Sequence, residues 1–250
     1  MKNSAVGGVF HFRSIMNKCL VLVDERISER CFNTLCDEGY TPIRLPKIPS
    51  LPSAIASHTD ILAFKLKSTL FFSKHYFNKN FDILSPLDIK NVCLTDSVQG
   101  VNYPLDAVFN GLVIDGKLFC KADTFATEIL SMAESVGVKI VPVKQGYPAC
   151  TVLKISENAA ITADEGMAKA LEKEGISVLR IKNGSISLPP YEYGFIGGAG
   201  EMHGSKVYFF GDIHTHPEAD RIVSFIEENG KTVISLSDGK LCDLGGMIFL

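Results

Sequence analysis

A module of about 45 residues recurs along this 250-residue chain, and repetition at that period constrains the fold more than any single residue does. Four segments share one grammar: strand, acidic residue, helix, glycine, strand. They are Cys19–Asp24 with Gly39 and Tyr40–Leu45, Lys117–Asp123 with Gly137 and Val138–Val143, Ala159–Asp164 with Gly175 and Ile176–Ile181, and Lys206–Asp212 with Gly230 and Lys231–Leu236. An aspartate oxygen can accept from the free N–H groups of a first helical turn, so Asp24, Asp123, Asp164 and Asp212 are expected caps. The glycines are expected to take the left-handed residue that ends each helix. A degenerate fifth copy fits at Thr69–Ser73, a helical segment from Tyr76 to Leu84, and Asn91–Thr95.

A second series runs in phase with the first. Short apolar strands are expected to start at Asp60, Asp106, Cys150, Gly197 and Asp243, at intervals of 44–47 residues. The last of them has no module after it, and the first module has no such strand before it. The C-terminal strand is therefore predicted to complete the N-terminal module, which removes the free edges of a circular array. The expected fold class is α/β: five strand-strand-helix-strand modules in a pseudo-fivefold ring.

Composition fits one closed domain over residues 18–250. Hydrophobic residues at 46% and charged residues at 21% supply ample core material. Residues 1–17 are the stretch outside the repeat, an N-terminal extension in which Met16 is an alternative start. They lack the hydrophobic continuity of a signal peptide. A net charge of −3 argues against a nucleic-acid partner. No apolar run approaches the ~20 residues of a membrane span, so no membrane partner is expected. Seven cysteines show no pairing pattern, and Cys19, Cys93 and Cys120 sit in strand-like runs. This predicts reduced, mostly buried thiols and a cytoplasmic location. No cofactor is expected, and the oligomeric state is left open.

Five such units around an axis resemble the pentein fold, that of arginine deiminases, dimethylarginine hydrolases and amidinotransferases, and of a non-enzymatic ribosome anti-association factor. The segments Gln145-Gly-Tyr-Pro-Ala-Cys150, Ile161-Thr-Ala-Asp164, Tyr193-Gly-Phe-Ile-Gly-Gly198 and Asp243-Leu-Gly-Gly246 are similar to those of an uncharacterised bacterial family with that fold. The resemblance covers residues 18 to 250. It implies an axial channel with functional groups at the ends of the inner strands. It also implies a His-x-Asp/Glu motif, acidic residues that grip a guanidinium, and a cysteine nucleophile in the closing strand. His58-Thr-Asp60 matches the histidine motif. The closing strand instead reads Gly245-Gly246-Met247, and a thioether cannot attack as a thiolate does.

Asp60, Asp106 and Asp243 hold matching positions in three modules. In a closed ring three carboxylates would converge, and a cation would relieve their repulsion. The alternative is that each caps its own turn. Cys150 is the one cysteine at an inner-strand start and a candidate substitute nucleophile. The catalytic candidates are therefore His58 and Cys150, with His58 as general acid/base. The ligand-binding candidates are Asp60, Asp106, Tyr147 and Asp243. The run Gly194–Gly200 precedes a strand, not a helix, so it is read as close packing near the axis, not as a phosphate loop. His214-Thr-His216, with Ser224 and Glu227 beyond it, has metal-ligand spacing. Its place in the repeat puts it on an outer helix, so no metal is assigned.

Three functions stay open. The first is a channel-mouth site for a small cationic ligand, guanidino or amino-acid-like, with hydrolysis or transfer at a C–N bond. The second is a non-catalytic binding or assembly module. The third is a metal-dependent hydrolase at His214/His216.

Overall fold

The structure is a computed structural model and describes residues 19–250, so the expected extension at 1–17 lies outside the described residues. Five three-stranded sheets follow one another along the chain. Module 1 holds β1 (Cys19–Asp24), α1 (Glu29–Asp37) and β2 (Tyr40–Leu45). Module 2 holds α2 (Thr59–Leu62), β3 (Ala63–Leu66), β4 (Thr69–Ser73), α3 (Lys74–Lys79), α4 (Phe81–Leu84) and β5 (Val92–Thr95). Module 3 holds β6 (Leu112–Ile114), β7 (Lys117–Cys120), α5 (Thr127–Ser135) and β8 (Lys139–Pro142). Module 4 holds α6 (Pro148–Thr151), β9 (Val152–Ser156), β10 (Ala159–Thr162), α7 (Glu165–Lys173) and β11 (Ser177–Arg180). Module 5 holds β12 (Gly200–His203), β13 (Lys206–Phe209), α8 (Ala219–Glu228) and β14 (Thr232–Ser235), and β15 (Ile248–Phe249) ends the chain.

In each sheet the middle strand pairs antiparallel with an inner strand and parallel with the strand that follows the helix. The exception in sequence order is module 1. Its antiparallel partner is β15, with Val21 opposite Phe249 and Leu22 opposite Ile248. The C-terminal strand thus completes the N-terminal module, as the phase of the two repeat series predicts.

The middle strands are buried on both faces, and alternate residues serve different cores. Val21 and Val23 of β1 pack with Tyr208 and Phe210, while Leu22 packs with Leu70 and Phe72. Phe71 joins Leu118 and Cys120 of β7; Phe119 joins Ala160 of β10; Ile161 joins Val207 and Phe209 of β13. Each of these five cores lies between consecutive modules, and the fifth, between modules 5 and 1, closes the circle. A ring of shared cores explains why no module stands alone: each buries one face of its strand against the next.

The glycines that end α1, α5, α7 and α8 all have positive φ, at Gly39, Gly137, Gly175 and Gly230. The expected aspartate caps divide. Asp164 accepts from the Met167 N–H at 2.8 Å, and Asp212 from the His214 N–H at 3.0 Å. Asp24 does not cap α1; Ser28 does, accepting from Cys31 N–H. Nor does Asp123 cap α5, which starts four residues later without a side-chain cap. All seven cysteines are free thiols; Cys120 is buried, but Cys19, at the first position of β1, is exposed. No helix among the described residues is long and apolar enough to cross a membrane.

The inner strands begin later than the sequence suggests. Asp60 and Cys150 lie in the single helical turns α2 and α6, Asp106 in a 3-10 turn (Leu105–Ala107), and Asp243 in irregular chain five residues before β15. Gly197 likewise precedes β12 by three residues. The equivalent positions are therefore turns at one mouth of the ring. A tight turn can aim a side chain along the axis, whereas a strand would send alternate side chains to opposite faces.

Candidate functional site

Turns from four modules bring their side chains to this mouth. His58 precedes α2, and its backbone N–H closes a turn on Ile55 O at 3.1 Å. The next turn is tied to the C-terminal segment, with Asp60 N–H donating to Gly245 O at 3.1 Å. In module 4, Pro148 opens α6, and the Thr151 hydroxyl bonds back to Tyr147 O at 3.0 Å, fixing Cys150 between them. Asp243 is held by two backbone donors. Phe195 N–H reaches Oδ2 at 2.8 Å and Gly245 N–H reaches Oδ1 at 3.1 Å.

These turns place the Cys150 Sγ 2.7 Å from Asp60 Oδ2 and 4.0 Å from His58 Nδ1. On the other edge of the imidazole, His58 Nε2 lies 3.8 Å from Asp243 Oδ1. Asn110 joins the group. Its Nδ2 donates towards Sγ at 3.6 Å, and its Oδ1 accepts from Ala149 N–H at 2.8 Å, so it fixes the turn that carries the thiol. His58, Cys150 and Asp243 are all nearly inaccessible to solvent.

Glycine makes this approach possible. A Cβ on Gly198 would sit 1.9 Å from Asp243 Oδ1, and one on Gly197 would sit 2.1 Å from Ala149 O. Gly245, at φ +68°, would collide with the His58 Cβ at 2.5 Å. The glycine run is therefore close packing at the axis, as its sequence context suggests.

Burial without countercharge sets the protonation states. Burial pushes the Asp60 carboxyl up to about 8; the Asp243 charge adds to the rise, and the thiol hydrogen bond opposes it. The Cys150 thiol is driven well above its ordinary value, first by burial and then by Asp60 and Asp243. Burial lowers the His58 imidazole, with the Asp243 charge opposing. At neutral pH thiol, imidazole and Asp60 all favour their uncharged forms. His58 Nε2 and Asp60 Oδ1 are buried without a hydrogen-bond partner. A buried polar atom left unpaired costs about 1–3 kcal/mol, so the arrangement favours a ligand that pairs with them.

A cavity of about 520 Å³ opens on three members of the cluster. Tyr147 lines it, as do His58, Cys150 and Asp243. Asp106 does not. It is buried behind Tyr147, whose hydroxyl donates to Asp106 Oδ2 at 2.7 Å, and burial raises its carboxyl. Asp60 faces a second cavity, of about 310 Å³, that also contains Lys65, Lys154 and Glu201. The Asp60–Cys150 contact therefore stands between the two cavities. Met247, where the resemblance implies a nucleophile, is buried in the core between modules 5 and 1.

Among the described residues, one group of histidine, cysteine and acidic side chains has metal-ligand geometry. It is His58, Cys150 and Asp243, whose donor atoms lie within 4.8 Å of one another. His214 and His216 are not part of it. His214 is exposed, and the buried His216 accepts the Glu218 N–H on Nδ1 at 3.0 Å, ahead of α8. Ser224 and Glu227 lie on α8, as expected.

Sequence reasoning singled out His58, Asp60, Cys150 and Asp243, and the structure brings them together. It missed Asn110, which ends the same Asp106–Asn110 segment. It also missed the role of Asp24, which is fully buried and accepts from Arg26 Nη2 at 2.6 Å and Ser57 Oγ at 2.7 Å. Asp24 sits at a recurrent position of the repeat, which was the available signal, whereas Asn110 falls four residues past one.

Residues 22–248 match the model of a family of unknown function, DUF6873. No curated protein matches the chain. Among solved structures, the chain is similar to the dimethylarginine dimethylaminohydrolase (DDAH) of Pseudomonas aeruginosa complexed with citrulline. The TM-score is 0.58 at 9% identity, over 93% of this chain and 99% of that one. It is also similar to an agmatine deiminase of C. jejuni with substrate bound (TM-score 0.51, 11% identity, 93% and 82% covered). A third is SxtG, an amidinotransferase from Microseira wollei in the saxitoxin biosynthetic pathway (TM-score 0.52, 8% identity, 87% and 77% covered). At these identities the likeness establishes the fold, which is the pentein fold.

Proposed function

The chain belongs to DUF6873, and we propose that it binds a small guanidino cation at the channel mouth and cleaves or transfers its C–N bond through Cys150. One observation carries this reading: a thiol, an imidazole and two carboxylates, drawn from modules 2 and 4 and the C-terminal segment, meet beside a cavity, with two buried polar atoms unpaired. The similar structures named above act on guanidino compounds or carry an amidino-transfer name, which agrees with this chemistry.

A guanidinium supplies what the resting cluster lacks, a positive charge with several N–H donors. Its arrival lowers the pKa of Asp60 and of the thiol. Sγ then forms a bond to the guanidino carbon while its proton passes to Asp60, 2.7 Å away. The C–N bond breaks as the departing nitrogen takes the proton that Asp60 received from the thiol, which leaves His58 neutral and able to act as a base. The covalent carbon is released by water, deprotonated by His58, or by an acceptor amine. Asp243 holds the imidazole from its other edge. Asn110 and Tyr147 position rather than react. Seven free thiols suit a reducing, cytoplasmic compartment.

Intact-mass measurement after incubation with guanidino substrates and haloacetamidine electrophiles tests the reading. A mass increase confined to Cys150 and absent from Cys150→Ser is expected. Turnover that survives Cys150→Ser would leave water as the nucleophile. Binding without turnover or adduct would favour the non-catalytic binding module.

A further inference from the structure

The cavity above the cluster has mainly aromatic and aliphatic walls, with the Gln145 amide among them, and carboxylates as its acidic groups. Tyr103, Tyr147, Tyr191, Tyr193, Phe195 and Leu188 are among the residues that line it. Its carboxylates are Asp243, in the cluster, and Glu192. Among the described residues no lysine or arginine lines it. Arg26, which adjoins the cluster electrostatically, is already committed. Its Nε and Nη2 bond to Asp24 and its Nη1 to Ser53 O.

We infer that the ligand is a monocationic guanidine or amidine whose other substituent is uncharged and apolar, and that ligands bearing a carboxylate are excluded. This rests on the guanidino reading above and narrows it. A carboxylate tail would leave water for an apolar wall with no countercharge, which is strongly unfavourable. It would also lie beside Glu192 and Asp243, so repulsion adds to the desolvation cost. Tyrosine hydroxyls donate neutral hydrogen bonds but no charge, and that of Tyr147 is already given to Asp106. The same walls suit the opposite ligand. Aromatic faces attract a flat cation, and a cavity of about 520 Å³ is far larger than a guanidinium, leaving room for an apolar substituent. Tyr103 and Tyr191, each about half exposed, place aromatic surface at the entrance.

Calorimetry on the full chain with two probes of equal length separates the possibilities. In n-butylguanidine and 4-guanidinobutyrate the head group is the same, and a terminal methyl replaces a carboxylate. The butyl compound is expected to bind at least about tenfold more tightly, given the cost of like charges in a desolvated site. Glu192→Lys, an exposed substitution, is expected to narrow that gap severalfold by tightening the acid. Equal or tighter binding of 4-guanidinobutyrate to the native protein would overturn the inference while leaving the guanidino reading in place. A gap untouched by Glu192→Lys would overturn the charge argument. If neither probe binds, the guanidino reading falls and the inference with it.

Discussion

The Sγ of Cys150 lies 2.7 Å from the Asp60 Oδ2, although 90 residues separate them in sequence. The two turns that carry them belong to modules 2 and 4, and neither is in direct register with the other through a sheet. Closure of the ring is what brings them within contact.

The contact predicts a separation between binding and chemistry. Cys150→Ala removes the nucleophile but keeps the cavity walls, so it should retain affinity for guanidino cations within a few-fold while abolishing turnover. Asp60→Asn removes the proton acceptor and a countercharge, so it should weaken both. Calorimetry beside a product-release assay distinguishes the two. Equal loss of binding in Cys150→Ala would show that the thiol serves the pocket's shape instead of the reaction.

Stability should depend on pH through Asp60. In the folded chain this carboxyl keeps its proton up to about pH 8, whereas an unfolded aspartate releases it at about 4. Between those values the folded state binds more protons, so its stability falls as pH rises and then levels off above about 8, by at most about 1.4 kcal/mol per pH unit for one group. Asp60→Asn lacks this slope. Its melting temperature relative to the native protein should climb from pH 5 to 8. A constant difference across that range would mean that Asp60 is ionised in the fold.

The same titration governs ligand binding, with the opposite sign. A bound cation favours the ionised carboxyl, so binding expels a proton from Asp60. Affinity for a guanidine should rise from pH 6 to pH 8, and proton release should register as a buffer-dependent heat. An affinity flat with pH would contradict a neutral resting Asp60.

Gly198→Ala tests the packing at the axis. Its Cβ would sit 1.9 Å from the Asp243 Oδ1 and 2.5 Å from the carboxyl carbon. The carboxylate must move, losing the bonds from Phe195 and Gly245. A destabilisation of about 1–3 kcal/mol is expected from overpacking, together with loss of cation binding. Unchanged binding in a folded Gly198→Ala protein would remove Asp243 from the site.

Deleting residues 248–250 should open the ring. The deletion strips β15 from β1, removes the buried Phe249 from the core between modules 5 and 1, and exposes an apolar strand edge. Burial of one phenylalanine contributes about 1.5–3 kcal/mol, so a clear fall in melting temperature is expected, with aggregation on size-exclusion chromatography. An unchanged melting curve would mean that closure does not depend on this strand.

The architecture was legible in sequence because it is written in local terms. Strand, helix and glycine recur with a period, and Gly39, Gly137, Gly175 and Gly230 each take the backbone conformation that their place in the period implies. The phase of the two series even assigned Phe249 to the module that begins at Cys19. The same periodicity placed His58, Asp60, Cys150 and Asp243 at one level of the ring, since equivalent positions in a circular repeat share an axis. What periodicity could not convey was the conformation at those positions. Asp60 and Cys150 lie in helical turns and Asp243 in irregular chain, because backbone tied across modules, as in the bond from Asp60 N–H to Gly245 O, overrides the extended preference of a short apolar run. Nor could it tell a capping aspartate from a buried one. Asp24 and Asp164 read alike, yet Asp24 turns inward to Arg26 and Ser57 while Asp164 caps α7. The protonation of the cluster, the separation of Asp106 from the cavity by Tyr147, and the absence of a cation from the cavity lining among the described residues belong to the tertiary structure alone. They depend on burial and on distances between modules, and no local pattern in a chain encodes how far water stands from a carboxylate.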